Sequence, residues 1–359
     1  MKQKRLDSLD LLRGLTIILM ILVNSRGTRE HVWAPLNHSS WDGIELADLV
    51  FPCFLFVMGI TTYLSTRKFN FTFSPSLGKK MVRRTLLLFA LGLLINWGSD
   101  GFPAFEDLRI MGVLQRFAIC YLVVTTLAVT MPHRLMPTLI VVLLVGYAAV
   151  LSLSGSYVDS PYSITAIVDH AVLGQRHILG NYNTDPEGLL STIPSIAHTL
   201  IGFCAGRIIL KKKALADRLL SLTLIASLLL FGGLLLQDAC PLNKKLWTST
   251  FTLASCGFSL LTLVVLTIVV DVREWRFPKT PLLAFGVNPL VCYLLGEALI
   301  IVLKVVRMQG QSLRELGYGA LAMVTGDNSF TSFLYAAIIV VTVGVVAHVL
   351  YHRNIVVSI

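Results

Sequence analysis

The chain has 359 residues, 55% of them hydrophobic and only 14% charged, with a mean hydropathy of +0.74. Soluble domains carry about 25% charged residues, so this balance excludes an ordinary soluble protein. The formal net charge of +10 does not point to nucleic acid, because the aromatic-basic interleaving of such surfaces is missing. In a membrane protein, lysine and arginine instead collect in cytoplasmic loops.

Apolar runs of about 20 residues, the length that crosses a hydrocarbon core, recur along the whole chain. They predict about ten helical spans, near 9–26, 44–65, 81–98, 110–130, 135–154, 188–210, 218–236, 247–270, 281–303 and 332–351. Helices are the expected element because lipid cannot satisfy free backbone groups. The expected fold class is therefore all-α, a polytopic transmembrane bundle forming one domain over 1–359. No internal repeat or soluble domain is legible. The segment Met1–Arg5 is basic, but no small-residue cleavage site follows the first run, which reads as a retained span.

Charge sets the expected orientation. With both termini cytoplasmic, the inner segments hold about twice as many lysines and arginines as the outer ones. Among the inner residues are Lys2, Lys4, Arg5, Lys212, Lys213 and Arg276, with Arg29 on the opposite side. Positive-inside bias favours that topology. It places the longer polar loops, roughly 27–43, 99–109, 155–187 and 304–331, outside, where functional residues are expected.

Five of the six cysteines (Cys53, Cys120, Cys204, Cys256 and Cys292) fall in apolar runs, and Cys240 lies in a loop. No disulfide framework follows from that distribution. No Cys-x-x-Cys or Cys/His spacing suits zinc, so no metal is expected.

Ionisable residues inside spans are costly and usually functional. Asp10 and Arg13, three residues apart on one helical face, can pair, as a structural ion pair or as part of a site. Arg116, beside Gln115 and about two turns into the fourth span, is expected to face the bundle interior. A cytoplasm-derived anion is one candidate partner for it.

His38 sits in Asn37-His38-Ser39-Ser40-Trp41-Asp42-Gly43, just before the second span. A lone histidine is ordinarily a surface residue, but Asn24 ends the first span on the same side and Asp48 begins the second. An imidazole can act as general base or nucleophile. An asparagine amide can donate to an oxyanion, and a carboxylate can orient the ring.

Two further outer clusters stand before spans. The acids of Asp185-Pro186-Glu187-Gly188 either cap the sixth span or hold a cationic or hydroxylated substrate. In Asn243-Lys244-Lys245-Leu246-Trp247, the indole is either an interfacial anchor or a stacking platform for a sugar. On the inner side, Lys79, Lys80, Arg83 and Arg84 form a basic block that positive-inside bias explains. Its functional alternative is capture of a phosphate-rich molecule such as coenzyme A.

In chain order, Ser8-Leu9-Asp10 with Leu12-Arg13-Gly14, Val23-Asn24, the His38–Gly43 segment and Ala47-Asp48-Leu49-Val50-Phe51-Pro52 form a recognisable succession. It continues with Arg109-Ile110, Gly112-Val113-Leu114-Gln115-Arg116, Asp185-Pro186-Glu187-Gly188, Asn243-Lys244 with Leu246-Trp247, and more weakly Gly286 with Asn288. Over nearly its whole length the chain resembles the heparan-alpha-glucosaminide N-acetyltransferases and their bacterial relatives. The family pattern at the histidine reads His-Ala-Ser-Trp-Asn-Gly, whereas Ser39 and Asp42 stand at two of those positions here.

The resemblance implies transfer of an acetyl group from cytosolic acetyl-CoA to a terminal glucosamine amine across the membrane. It implies His38 as the active-site histidine and Asn24 in the same site. Motif matching and the residue chemistry add Asp48 to hold the histidine tautomer. They place Arg109, Asp185, Glu187, Lys244 and Trp247 at the sugar end, and Arg84, Lys80, Arg116 and Arg207 on coenzyme A. The expected partners are acetyl-CoA, an amino-sugar acceptor and the lipid bilayer of a bacterial inner membrane. A homodimer is left open, and no nucleic acid is expected. Two alternatives remain: a sugar or small-solute transporter, for which repeats with broken helices in matching positions are not legible, and an O-acetyltransferase of a surface polysaccharide.

Overall fold

A computed structural model describes residues 7–28, 30–180, 182–211, 214–273 and 279–357. Lys2, Lys4, Arg5, Arg29, Lys212, Lys213 and Arg276, used above to orient the chain, lie outside the described residues. Thirteen α-helices are found among the described residues: α1 Asp7–Asn24, α2 Leu46–Arg67, α3 Pro75–Ser99, α4 Val113–Thr130, α5 Met136–Leu153, α6 Ile164–Val172, α7 Thr192–Lys211, α8 Leu215–Leu235, α9 Ser249–Leu266, α10 Thr280–Val287, α11 Pro289–Val305, α12 Leu313–Thr325 and α13 Ser329–His352. The only strands among them are a two-residue hairpin pair, Arg307–Met308 and Gln311–Ser312.

Eight of these helices are long and apolar enough to cross a membrane, or nine spans if the bent pair α10–α11 counts as one. The ten expected segments therefore correspond to eight straight helices, the bent pair, and α1. The last carries three charged residues, Asp7, Asp10 and Arg13, within its eighteen, where the eighteen-residue apolar stretch of each other span carries at most two. The expected straight span at 281–303 is corrected to two helices meeting at 89°. The break follows from Asn288-Pro289, since proline drives its predecessor out of the helical region, and Asn288 takes φ −123° and ψ 54°.

Local chemistry fixes several ends. The α3 start lies six residues before the expected 81, because Ser74 accepts from the Leu77 N–H at 3.2 Å and Pro75 occupies the first turn. Ser312 and Glu315 form a capping box on α12, a helix inside a segment expected to be loop. Asn328 caps α13 by accepting from the Thr331 N–H at 3.0 Å.

The chain divides into two compact units, interleaved along the sequence, with the division inside α2 falling between Phe51 and Pro52. The first holds residues 1–39, 45–51 and 262–358. Its centre is the approach of α1 to α10, where a Cβ on Gly14 would overlap the Leu282 carbonyl and one on Gly286 the Asp10 carbonyl. Close helix contact through small residues is a habit of membrane bundles. Asn288, at the helix break, donates to the Ile355 carbonyl and accepts from the Val357 N–H, both at 2.8 Å, so its side chain clamps the segment after α13.

The second unit holds 40–44 and 52–261. Its interior helices are α2 and α7, with 78% and 67% of their apolar windows buried, against 17% for α8. The outward face of α8 carries Leu220, Leu224, Leu228, Phe231 and Leu235, an apolar stripe at helical spacing of the kind lipid covers.

Candidate functional site

In the first unit, the end of α1 and the start of α2 present the expected groups. Asp48 is in the first turn of α2 and 1% exposed, while His38 precedes that helix and is 35% exposed at its side chain. His38 Nδ1 lies 2.7 Å from Asp48 Oδ1. The other carboxylate oxygen accepts the backbone N–H groups of Ser39 and Glu45, each at 3.1 Å. An ionised carboxylate only accepts, so the proton on this edge of the ring belongs to Nδ1. In the neutral ring, Nε2 is then the acceptor nitrogen.

Asn24 is the last residue of α1, and its Nδ2 donates to Glu297 Oε1 at 2.7 Å. Glu297 was not among the expected site residues. It stands 273 positions away in the chain, on α11, and the one available signal was an ionisable residue inside an apolar run. Arg13 and Asp10 pair at 2.6 Å, as the spacing predicts. Arg26 Nη1 donates to Asn37 Oδ1 at 2.7 Å, joining the end of α1 to the residue beside His38.

The second unit contains a buried charge network. Arg109 Nε and Nη2 reach Asp185 Oδ2 and Oδ1 at 2.9 and 2.6 Å, and Nη2 also reaches Glu187 Oε2 at 2.6 Å. Asp185 further accepts from the N–H groups of Leu179 and Glu187. Burial works against the Arg109 charge, but Asp185 and Glu187 outweigh it and hold the guanidinium protonated above its ordinary value. Burial would raise Glu187, yet Arg109 and Arg116 more than cancel it and keep this carboxyl below the ordinary range.

Arg116 is fully buried, and its Nη2 donates to the Pro186 carbonyl at 3.0 Å and to Ser191 Oγ. Its guanidinium lies 4.9 Å from the Trp247 ring centre. Trp247 is 1% exposed, packs edge-on against His198 and Phe251, and takes φ 51°. Trp247 is expected as an interfacial anchor or a stacking platform for a sugar, and its indole lies inside the second unit beside the Arg116 guanidinium. Arg116, expected on coenzyme A, has its guanidinium on the 186–191 segment. Asp185, with both oxygens engaged and no exposure, serves the same segment.

Sequence reasoning also missed Asp169 on α6. It is 1% exposed and accepts from the backbone N–H groups of Leu189 and Asp185 at 2.9 and 3.2 Å. Burial pushes its carboxyl up to about 6, against the pull of those two N–H groups. Lys244, half-buried, contributes positive potential at Glu187.

The remaining basic candidates all lie in the second unit. Lys80 Nζ reaches Ser65 Oγ at 3.2 Å, and Arg84, one turn along α3, lies 4.4 Å from the Tyr121 ring centre. Arg207 Nη1 donates to the His133 carbonyl at 3.0 Å. Among the described residues, no group of three or more His, Cys, Asp or Glu is arranged to hold a metal ion.

These features define a polytopic helical membrane protein with a histidine–carboxylate pair at the start of its second helix. The family model described as heparan-alpha-glucosaminide N-acetyltransferase, catalytic, matches residues 5–236, and the chain belongs to that family. That match includes Asn24, His38 and Asp48 and ends before Lys244. The chain is 29% identical to the heparan-alpha-glucosaminide N-acetyltransferase of Homo sapiens, over 80% of this chain and 52% of that protein. For the Mus musculus protein of the same name, the identity is 28%, over 82% and 54%. The chain spans about half the length of the curated relatives it matches.

Proposed function

We propose that the chain is a transmembrane N-acetyltransferase moving an acetyl group from cytosolic acetyl-CoA to the amine of a glucosamine-type sugar on the outer side. The observation that carries this reading is the 2.7 Å contact of His38 with Asp48 in a chain of an N-acetyltransferase family. Acetyl-CoA supplies, when bound, an acyl group activated as a thioester. An amine attacks only after losing its proton, and an imidazole titrating near neutral pH suits that removal.

With Asp48 keeping a proton on Nδ1, His38 takes the amine proton at Nε2 as the C–N bond forms, and returns it to the coenzyme A sulfur as the C–S bond breaks. Asn24, oriented by Glu297, donates its second amide N–H towards the acetyl oxygen as negative charge develops there. Lys80 and Arg84 on α3 with Arg207 on α7 have the chemistry that phosphates require, since guanidinium and ammonium groups give charge-assisted hydrogen bonds. Arg109, Asp185, Glu187, Arg116 and Trp247 are engaged with one another, so we assign them to holding the 185–191 segment, with Lys244 beside them. The bacterial inner membrane and cytoplasmic termini belong to this same reading.

The test is acetylation of glucosamine by purified protein with acetyl-CoA, analysed for amide against ester product. Radiolabelled acetyl retained on wild type but not on His38→Ala separates carriage of the acetyl group by His38 from direct transfer. The α10–α11 break favours one rival reading, a solute transporter, because broken helices build substrate sites in that class. Uptake of sugar into proteoliposomes without any acetyl donor would support the rival.

A further inference from the structure

In the Asn243-Lys244-Lys245 stretch before α9, Lys244 acts on Glu187, whereas Asn243 and Lys245 reach the 40–44 segment, which shares the second unit with them. Each residue from Ser40 to Gly43 is tied down within that unit. The Lys245 ammonium donates to the Ser40 carbonyl. Trp41 Nε1 donates to the Tyr157 carbonyl at 2.8 Å. Asn243 Nδ2 donates to Asp42 Oδ1 at 3.2 Å, and the Gly43 N–H to the Leu242 carbonyl at 2.7 Å.

The ties are stiff at their own base. Lys245 Nζ lies 4.7 Å from the Tyr182 ring centre and 5.3 Å from that of Trp41, within reach of cation–π attraction. Trp41 packs in turn on the buried cluster of Tyr147, Leu151 and Leu246. Asn243 is fully buried, and its Oδ1 accepts the Leu246 N–H at 2.9 Å, which turns the amide nitrogen towards Asp42. Gly43 takes φ 110°, a backbone conformation that glycine adopts freely.

What is tied is the part of the chain between His38 and Asp48. Ser39 and Glu45 flank it, and their N–H groups are the donors on Asp48 Oδ2, each at 3.1 Å. Freedom in 40–44 would pass along the chain to both donors, then to the carboxylate they hold, and through it to the imidazole. We infer that Asn243 and Lys245 are positioning residues for His38. They clamp the 40–43 segment and so keep Ser39, Glu45 and Asp48 in the arrangement that orients the ring. The inference rests on the acetyltransferase reading for its consequence, though not for the clamp itself.

The test pairs backbone order with turnover. Hydrogen exchange, read by mass spectrometry on purified protein in detergent without substrate, follows the 39–45 amides of wild type, Lys245→Met, Lys245→Arg and Asp42→Ala. Steady-state rates with acetyl-CoA and glucosamine are measured on the same proteins. In Lys245→Met the 39–45 amides are expected to exchange faster, as hydrogen bonds in a loosened segment do. Its kcat is expected to fall about tenfold to a hundredfold, the range for slight misplacement of a reacting group, with KM for both substrates unchanged. Lys245→Arg keeps a charged donor that can lie on the rings and restores most of the protection and the rate. Asp42→Ala, at an exposed position, shifts both measurements in the same direction by a smaller factor, and it decides if Lys245→Met does not fold. Wild-type exchange in folded Lys245→Met overturns the clamp whatever the rate. Faster exchange with an unchanged kcat, or a loss seen in KM alone, overturns the positioning role. Wild type that acetylates no amino sugar, with exchange in 39–45 still dependent on Lys245, overturns the acetyltransferase reading and leaves the clamp.

Discussion

The imidazole of His38 and the carboxylate of Asp48 meet at 2.7 Å, and Asp48 is anchored in turn by the N–H groups of Ser39 and Glu45. The buried carboxylate thus fixes both the ring and the loop that carries it. Asp48→Asn breaks this arrangement, because an amide cannot accept on both sides. It is expected to lower kcat by about a hundredfold, the lower range for general-base catalysis, with the KM for acetyl-CoA little changed. Initial rates at saturating donor measure this.

Asn24 depends on Glu297 for its orientation. Glu297→Gln keeps an acceptor for the Asn24 amide and is expected to retain most activity. Glu297→Leu removes it and is expected to cost at least about tenfold in kcat, while Asn24→Ala costs about a hundredfold, as loss of an oxyanion donor does. Equal rates for the Gln and Leu variants would contradict the positioning role.

Arg109 neutralises Asp185 and Glu187 in a buried setting. Removing one partner of such a group costs about 3–5 kcal/mol, so Arg109→Met should lower the Tm in detergent strongly. Arg109→Lys should recover little, since an ammonium lacks the fork that spans both acids.

Asp169 gives stability a pH dependence. Its folded pKa, about 6, lies above its ordinary value, so the folded state binds this proton more tightly than the unfolded one. The contribution is fully present below about pH 4 and is lost as pH rises through about 6. Glu187, held below the ordinary range, has the opposite sign: its contribution is present above that range and is lost on acidification. The Asp169 component of Tm is therefore expected to fall between about pH 4 and 6, and Asp169→Asn to lose it. Thermal melts across this range check it.

At the α1–α10 crossing, Gly286→Ala would drive a methyl into the Asp10 carbonyl. Overpacking of this kind costs about 1–3 kcal/mol, and the variant is expected to melt earlier and yield less monodisperse protein. A Tm equal to wild type would contradict the close approach.

Much of this was legible along the chain. Apolar runs located the long helices because lipid demands length and uniform apolarity, which are local properties. The His38–Asp48 pair was legible because only ten residues and one helix start separate its members. The Asn24–Glu297 pair was not, since 273 positions intervene and no periodicity reports which helices adjoin. The surroundings of Trp247 were not legible for a related reason. A tryptophan before a span reads as an interfacial anchor, and only the folded unit reveals Arg116 and His198 around it. The break at Asn288 carried its signal in Pro289, but the hydropathy of 281–303 concealed it.

The central claim is that His38 is the base for acetyl transfer. The most direct test is acetyl-CoA-dependent N-acetylation of glucosamine by purified His38→Ala, shown to be inserted and to melt like wild type. Loss of at least about a hundredfold in kcat is the predicted result. Full activity in that folded variant would contradict the account.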